Sequence, residues 1–243
     1  LRDGGRIIDC AFQNQEIKEI SQRLADAKID IIELGFLRDW RKVEYKGNST
    51  FFTDVDQIRP FVNRNKKNII YAAFVDFGMC DIDSLKPFDG TSIDAIRFGF
   101  TKKNYAEQKE EVLRWIDVIK EKGYKLFIQG VNSLNYSDRE LLELVDMINN
   151  VHPYSFGIVD TYGAMYMDDV DRLYGLIDHN MEPDICINFH SHNNYQLSFA
   201  FAQEVIKLSG TSNRQIIIDG TLGGIGKVAG NLNTELIVDY LVR

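Results

Sequence analysis

The chain has 243 residues, of which 44% are hydrophobic and 26% are charged, and its formal net charge is −8. This length suits one large domain or two small ones, and the acidic balance argues against a nucleic-acid-binding surface. The sequence contains no apolar run long enough to cross a membrane and no signal-peptide pattern, and its three widely separated cysteines indicate a reducing cytoplasm.

Predicted strands and helices alternate along the whole chain. Leu1-Arg2-Asp3, just before the Gly4-Gly5 break, is typical of the last residues of a strand whose body is missing. After it, seven runs rich in Val, Ile and Phe predict complete strands, and such continuous apolar runs are typical of parallel strands buried on both faces. The predicted strands cover residues 29–36, 68–76, 93–100, 125–131, 154–160, 184–189 and 215–219.

Helices are predicted after most of these strands, where apolar residues recur at helical spacing. A capping box formed by Ser137 and Glu140 marks the start of one helix, and Gly123 and Gly210 mark the ends of two others. The predicted helices lie at residues 14–27, 53–62, 82–85, 112–123, 138–148, 170–177, 197–210 and 234–243.

The alternation predicts an α/β fold of the (β/α)8 TIM-barrel type with a truncated first strand. A doubly wound open sheet is the alternative, but no Gly-x-Gly-x-x-Gly motif follows an early strand to support it. Neither a linker nor a low-complexity segment interrupts the chain, so residues 1–243 are expected to form one domain. Because the sequence opens inside a strand at Leu1 and closes on a helix, we expect it to be the catalytic barrel of a longer protein.

Two of the four histidines, His190 and His192, lie at the end of the strand predicted at residues 184–189. Side chains two residues apart on a strand point the same way, so both imidazoles are expected to face one point, with Asn188 below them. This arrangement favours a divalent-metal site. The alternative is that both are surface loop residues, because a His-x-His pattern arises easily by chance.

Charged residues follow most of the other predicted strands, at the end where TIM barrels carry their active sites. Buried charges are costly unless they are paired or bind metal, so their number favours a catalytic site. Each also has a structural alternative: an ion pair between Arg2 and Asp3, another between Glu33 and Arg97, and helix capping by Asp160. The residues at these strand ends are Arg2, Asp3, Glu33, Asp76, Arg97, Asp160 and Thr161.

A glycine-rich stretch, residues 220–231, lies between the last strand and the last helix. Its glycines allow positive φ and close backbone approach, so it could hold a phosphate or carboxylate beside Lys227, or place Asn231 over the metal. A flexible loop is the alternative. The stretch lacks Gly-Lys-Ser/Thr, which argues against a nucleoside triphosphatase.

A long basic loop, residues 37–46, follows the first complete strand. Loops of this length at the functional end of a barrel are often functional. Arg38 and Arg41, together with Trp40 and Tyr45, could close over an anionic substrate. The alternative is a solvated run of charges.

Five motifs occur in order along the strands: LRDG at residues 1–4, IELG at 32–35, DTYG at 160–163, HSHNN at 190–194 and GGIGKVAGN at 223–231. Together they resemble the metal-dependent lyase family of the hydroxymethylglutaryl-CoA lyase and 4-hydroxy-2-oxovalerate aldolase type. That family also includes isopropylmalate and homocitrate synthases and the carboxyltransferase domain of pyruvate carboxylase. The resemblance spans the whole chain and implies a metal-dependent barrel.

The resemblance also implies roles for individual residues. It implies that Asp3, His190 and His192 bind the metal, with Asn231 as a further ligand in the lyase branch. It implies that Arg2 is the cation that stabilises an enolate. The other catalytic candidates are Glu33 and Thr161, which would contact the substrate or support the ligands, and Asp160.

Two positions depart from the family pattern. The aldolase branch has a histidine three residues after the ligand aspartate, where this chain has Arg6, and the lyase branch has a cysteine where this chain has Ile225. Both expected proton-transfer groups are therefore missing, and in-chain replacements are sought among Tyr71, Tyr162 and Tyr195.

The leading prediction is a divalent-metal-dependent aldolase-type lyase that cleaves a carbon–carbon bond of a 2-oxo or 4-hydroxy-2-oxo acid through an enolate. The expected metal is Mn or Mg, with Zn or Co as alternatives. An acyl-CoA-dependent condensing enzyme and a catalytically silent metal-binding barrel are the alternative functions. A zinc amidohydrolase is disfavoured, because its His-x-His lies on the first strand. The predicted substrate-binding residues are Arg38, Arg41, Arg97 and Lys227.

The expected partner is a small anionic substrate, and neither nucleic acid nor a membrane is expected to bind. A homo-oligomer or a further C-terminal domain is also consistent with the sequence. Such a domain would help complete the site, which would explain the two missing proton-transfer residues.

Overall fold

The computed structural model describes residues 1–242, and strands alternate with helices along them. All strand pairs that it forms are parallel. The strands are β1 (Ile31–Leu37), β2 (Phe51–Phe52), β3 (Ile70–Asp76), β4 (Ala95–Thr101), β5 (Lys125–Val131), β6 (Ser155–Asp160), β7 (Cys186–Ser191) and β8 (Ile216–Ile218). The helices are α1 (Asn14–Asp26), α2 (Lys102–Glu107), α3 (Lys109–Glu121), α4 (Asp138–Val151), α5 (Met167–Asn180), α6 (Ser198–Ser212) and α7 (Thr234–Val242).

The chain divides into two compact units, the first made of Leu1–Phe100 with Asn104–Leu126, and the second of Thr101–Lys103 with the chain from Phe127 onward. In the first unit the strand order is β2, β1, β3, β4, and in the second it is β5, β6, β7, β8. Parallel strands alternating with helices make a TIM-barrel-like α/β fold, so the predicted fold class is confirmed. That residues 1–243 form one domain stays a prediction.

The apolar runs form strands because both faces of each are covered. All six residues of β6 and all six of β7 are buried. In the first unit, Phe36 of β1 and Phe74 of β3 pack with Cys10 in one apolar cluster, against which Phe51 of β2 also packs. Two arginines near the start of the chain contact this cluster, since the Cζ atoms of Arg2 and Arg6 lie 5.7 and 4.7 Å from the centroid of the Phe36 ring.

Three local predictions differ from the structure, each for a local reason. Residues 1–3 form a turn rather than a strand end, because the Gly5 amide donates to the Leu1 carbonyl at 2.9 Å and a 3₁₀ helix follows at Gly4–Ile8. The eighth strand is instead β2. The helix predicted at residues 53–62 is two 3₁₀ turns, Val55–Gln57 and Arg59–Phe61, since Pro60 has no amide hydrogen to continue a helix.

The short helix predicted at residues 82–85 is a 3₁₀ turn, Ile82–Ser84, and α2 was not predicted; the boundaries of the other α-helices agree with the predictions to within a few residues. The Ser137–Glu140 capping box is confirmed, with the Ser137 side chain accepting from the Glu140 amide and Glu140 accepting from the Ser137 amide. The α6 helix runs past Gly210 to Ser212 and stops at Asn213, whose φ is 55°. The predicted end of the last helix, Arg243, lies outside the described residues. Among residues 1–242, no helix combines the length and the apolar surface that spanning a bilayer requires.

Candidate metal centre

The two histidines lie where the alternation of β7 places them. His190 and His192 are buried, and their rings lie 5.2 Å apart between centroids with planes at 89°. The Nδ1 atom of His190 lies 3.1 Å from Oδ2 of Asp219, and the Nδ1 atom of His192 lies 3.2 Å from the carbonyl oxygen of Gly230. A carbonyl or carboxylate oxygen only accepts, so each Nδ1 carries a hydrogen, and in the neutral form of each ring the lone pair is on Nε2. Metal-ligating histidines are held in this way.

A buried hydrogen-bond chain fixes Asp219 beneath His190. Asn188 Nδ2 donates to Asp219 Oδ1 at 2.9 Å, and Gln129 Nε2 donates to Asn188 Oδ1 at 2.9 Å. Asn188 and Gln129 are almost fully buried. Gly157 makes room for this chain, since a Cβ there would lie 2.4 Å from Gln129 Oε1. Both carboxylate oxygens of Asp219 are therefore engaged, and the His190 ring has one orientation.

The glycine-rich loop is ordered by its own backbone and brings Asn231 beside His192. The two residues form an isolated antiparallel bridge. The Asn231 amide donates to the Gly224 carbonyl at 2.8 Å, and its side-chain Nδ2 donates to the Ile225 carbonyl at 3.1 Å. Gly230 has a φ of 93°, and a Cβ on it would lie 2.2 Å from the Gly224 oxygen.

Lys227 lies at the exposed rim of the same loop. Its Nζ is 5.6 Å from the ring centroid of Tyr162, which is itself 55% exposed. The structure thus brings Asn231, and not Lys227, into the bridge with His192. Substrate binding by Lys227 stays a prediction.

Asp160 and Thr161, predicted as catalytic, both accept hydrogen bonds from loop backbone. Asp160 is fully buried and accepts from the Ala164 amide at 2.8 Å and from the Met165 amide at 3.4 Å. Burial raises the pKa of this carboxyl. Thr161 Oγ1 accepts from the Asn132 amide at 2.8 Å. Asp160 secures the turn before α5, whose N-cap is Tyr166, so it is not the cap of that helix.

In the first unit, Arg2 is the centre of a buried ion network. Its Nε donates to Glu33 Oε2 at 2.7 Å and its Nη1 donates to Asp3 Oδ1 at 2.8 Å. Arg97 Nη1 lies 3.6 Å from Glu33 Oε1. Arg2, Asp3 and Arg97 are each about 5% exposed. Both ion pairs weighed as structural alternatives are therefore present, and buried pairs of this kind are weak contributors to stability.

Arg6 also belongs to this network. Its Nε donates to Asp3 Oδ1 at 3.2 Å, so that one oxygen accepts from two guanidinium groups. The Arg6 side chain keeps 33% of its surface exposed. Ile225, the other departure from the family pattern, is 41% exposed. Neither side chain can take over the proton transfer of the residue that it replaces.

The two arginines predicted to close over a substrate have different surroundings. Arg38 is largely buried and its Nη1 donates to Asp76 Oδ2 at 2.8 Å. Arg41 is 56% exposed and forms a two-point pair with Asp39, at 2.8 and 3.0 Å. The aromatic residues of that loop point to different neighbours: Trp40 Nε1 donates to Asp81, whereas Tyr45 packs on Phe52.

The three tyrosine candidates for proton transfer differ in the exposure of their side chains. Tyr71 is fully buried near the start of β3, and its hydroxyl accepts from the Asn63 amide at 3.2 Å, so it is not available. Tyr162 and Tyr195 are about half exposed, on the loops after β6 and β7. Tyr195 stacks on Tyr166 with ring centroids 5.4 Å apart.

A protein-family model described as HMGL-like matches residues 1–243. The chain belongs to the HMGL-like family. It is 22% identical to the 4-hydroxy-2-oxovalerate aldolase of Pelotomaculum thermopropionicum, covering 100% of this chain and 68% of the relative. It is 25% identical to 4-hydroxy-2-oxovalerate aldolase 2 of Rhodococcus jostii, covering 100% and 67%. The hydroxymethylglutaryl-CoA lyase of Pseudomonas aeruginosa has the same fold, with a TM-score of 0.73, 14% identity, and coverage of 99% and 82%.

HMGL-like proteins depend in general on a divalent metal, and this chain retains a candidate ligand set. Asp3, His190 and His192, all buried, make up a possible ligand triad by residue type. Sequence reasoning missed Asp219 and the Gly230 carbonyl as the groups that orient the imidazoles. Asp219 could have been found from its position as the final residue of the last predicted strand, but a backbone carbonyl leaves no signal in a sequence.

Proposed function

We propose that this HMGL-like chain is a divalent-metal-dependent carbon–carbon lyase of the aldolase type, acting on a 4-hydroxy-2-oxo acid. Its relatives are aldolases and lyases, which supports an enzyme acting on a small molecule. The observation that carries the proposal is the histidine pair. The Nδ1 of each ring lies against a fixed acceptor, which in the neutral imidazole places the ring's lone pair on Nε2, as in metal-ligating histidines.

The proposed ligand set fits a divalent cation. His190 and His192 supply neutral imidazole nitrogens, Asp3 supplies a carboxylate oxygen and Asn231 an amide oxygen. Two nitrogen and two oxygen donors suit Mn and Mg, and Zn and Co are also compatible. The bound ion would supply Lewis-acid polarisation of the carboxylate and keto oxygens of the substrate. Asp3 Oδ1 accepts two guanidinium hydrogen bonds, from Arg2 and from Arg6, and these contacts hold the carboxylate in place.

Arg2 is proposed to stabilise the enolate that carbon–carbon cleavage leaves behind. Its guanidinium is buried and held by Glu33 and Asp3, so a fixed positive charge is present before the reaction begins. Such preorganised charge in a site shielded from water is worth far more than the same charge in solution. Arg97, paired with Glu33, is proposed to contact the substrate, as are Arg38, Arg41 and Lys227.

Proton transfer is proposed to fall to Tyr195 or Tyr162, since both keep exposed side chains on the loops after β6 and β7. Asp160 and Thr161 are proposed to support these loops through the backbone bonds described above. A cytoplasmic location, a homo-oligomer and a further C-terminal domain stay predictions.

The proposal is tested with the exchange of pyruvate methyl protons for solvent deuterium, followed by NMR. The protein loaded with Mn or Mg should catalyse exchange, and chelation should abolish it. The His190→Ala variant should lose both exchange and metal uptake at micromolar metal, because one of two imidazole ligands is removed. His179→Ala is the matched control, since His179 is exposed and its Nδ1 contacts only the Gly175 carbonyl.

The outcomes separate the alternative functions. Metal uptake without exchange would indicate a catalytically silent barrel. If the protein exchanges protons of an acyl-CoA but not those of pyruvate, it is a condensing enzyme. Unchanged metal stoichiometry in His190→Ala would overturn the ligand assignment.

A further inference from the structure

Three guanidinium groups surround one buried ring in the first unit. The Cζ atoms of Arg38, Arg6 and Arg2 lie 4.4, 4.7 and 5.7 Å from the ring centroid of Phe36. Phe36 itself is fully buried in the cluster with Cys10 and Phe74. Like charges repel, and a cation over an aromatic face gains only a modest energy. The fold therefore holds these arginines together for a reason other than the ring.

Two of the three arginines keep unused hydrogen-bond donors. A guanidinium has five N–H groups in a planar fork. Arg6 uses Nε on Asp3, and Arg38 uses Nη1 on Asp76. Both Nη groups of Arg6, and the Nε and Nη2 of Arg38, have no hydrogen-bond acceptor within the described part of the chain. The Cζ atoms of Arg6 and Arg38 lie 4.7 and 4.4 Å from the same ring centroid, that of Phe36. The two guanidinium groups therefore lie near each other, because the distance between these atoms cannot exceed the two values added together.

Arg6 and Arg38 each pair with one carboxylate, that of Asp3 for Arg6 and that of Asp76 for Arg38. If Asp3 binds a dication, as proposed, its negative charge is shared between the metal and Arg6. One substrate carboxylate and its keto oxygen would be taken by the metal. A second anionic group is needed to satisfy the open donors, and planar guanidinium forks match a carboxylate best.

We propose that Arg6 and Arg38 recognise a second carboxylate of the substrate, so that the substrate is a 2-oxo dicarboxylate rather than a 2-oxo monocarboxylate. This inference rests on the proposed function, because it needs the first carboxylate at the metal. Arg6, at the position of the missing histidine, is a specificity-determining residue and not a substitute base.

The test compares two substrates that differ only at the far end. 2-Oxoglutarate and 2-oxopentanoate both carry exchangeable protons at C3, and the second has a methyl group where the first has a carboxylate. Exchange of the C3 protons is followed by NMR in deuterium oxide with the Mn- or Mg-loaded protein. The kcat/KM for 2-oxoglutarate should be at least about tenfold above that for 2-oxopentanoate, on the worth of a charged hydrogen bond.

Variants assign this preference to the two arginines. Arg6→Gln and Arg38→Gln should each lower the ratio of the two kcat/KM values by about tenfold, and calorimetry should show a matching loss of 2-oxoglutarate affinity. Arg59→Gln is the control, because Arg59 is an exposed arginine of the first unit that pairs with Asp56 and Asp89. Arg59→Gln also removes one positive charge, but it should leave the ratio of the two kcat/KM values unchanged.

The results distinguish a failure of the proposed lyase function from a failure of the second-carboxylate inference. If the loaded wild-type protein exchanges neither these substrates nor pyruvate, the proposed function is wrong. If it exchanges both at equal kcat/KM, the second-carboxylate inference is wrong and the function stands. If Arg6→Gln slows both equally, Arg6 acts only by positioning Asp3. Should a glutamine variant fail to fold, the wild-type ratio decides alone.

Discussion

The histidine pair of the second unit and the arginine cluster of the first unit are held in place by different means. His190 and His192 are oriented by strand alternation and by two acceptors, Asp219 directly after β8 and the Gly230 carbonyl in the glycine-rich loop. Arg2, Arg6 and Arg38 are held by the carboxylates of other side chains and by aromatic rings, those of Phe36, Phe51 and Phe74. The orientation of the histidine pair has little freedom to change without a change in the backbone. The arginine cluster can be changed by single side-chain substitutions, and Arg6, which departs from the family pattern, belongs to it.

The largest effect should come from breaking the backbone support of the histidine pair. Gly230→Ala places a methyl group 2.2 Å from the Gly224 oxygen at a residue with a φ of 93°. We expect a loss of about 3 kcal/mol in the free energy of unfolding, measured by urea denaturation, together with weaker metal binding. Gly210→Ala in α6 is the control, because a Cβ there meets nothing within 4 Å. It should be neutral or slightly stabilising, and equal losses in both variants would contradict the argument.

A smaller effect should come from breaking the arginine cluster. Glu33→Gln removes the carboxylate between the buried Arg2 and Arg97. We expect the free energy of unfolding to fall by about 2 kcal/mol, less than for a pair with no other partner, since Arg2 keeps Asp3. Glu143→Gln, which disrupts the exposed pair with Arg139, should leave the denaturation midpoint unchanged. A Glu33→Gln protein as stable as the wild type would show that the cluster is not under electrostatic constraint.

The smallest effect should be a pH dependence at Asp160. Burial raises the pKa of this carboxyl above its usual 3.8, so folding favours the protonated form. The resulting stabilisation is fully present below pH 3.8 and is lost as the pH rises through the raised value. Asp160→Asn cannot ionise, so its stability relative to the wild type should increase from about pH 4 to pH 8. The check is the melting temperature of the wild type and of Asp160→Asn, measured as a function of pH. A difference between the two melting temperatures that stays constant with pH would contradict this prediction.

The sequence predicted what depends on local periodicity. The alternation of β7 correctly placed His190 and His192 on one face, and the Ser137–Glu140 capping box marked the start of α4. Pro60 was visible in the sequence, and reading it as a helix breaker would have corrected the helix predicted at residues 53–62. These signals lie within a few residues of the features that they predict.

Features set by the packing of distant segments were beyond such reasoning. Asp219 reaches His190 because the register pairs Phe189 with Ile218, and no pattern within either strand specifies that register. Arg6 reaches Asp3 because Phe36 supports its guanidinium from β1. In the sequence, Arg6 differs from the family pattern only by standing in place of a histidine, and its contacts with Asp3 and Phe36 depend on the packing of β1.

The Gly230 carbonyl accepts from two donors, the Asn193 amide at 2.9 Å and Nδ1 of His192 at 3.2 Å. One oxygen therefore joins the conformation of the peptide after β7 to the rotation of an imidazole ring. Any ligand that holds this ring at Nε2 also restrains the loop, and any partner that orders the loop tightens the grip on that ligand by the same free energy. The conformational order of segment 223–231 is thus thermodynamically coupled to the binding of a ligand at Nε2 of His192. A measurement of the order of this segment would therefore report how much ligand is bound there.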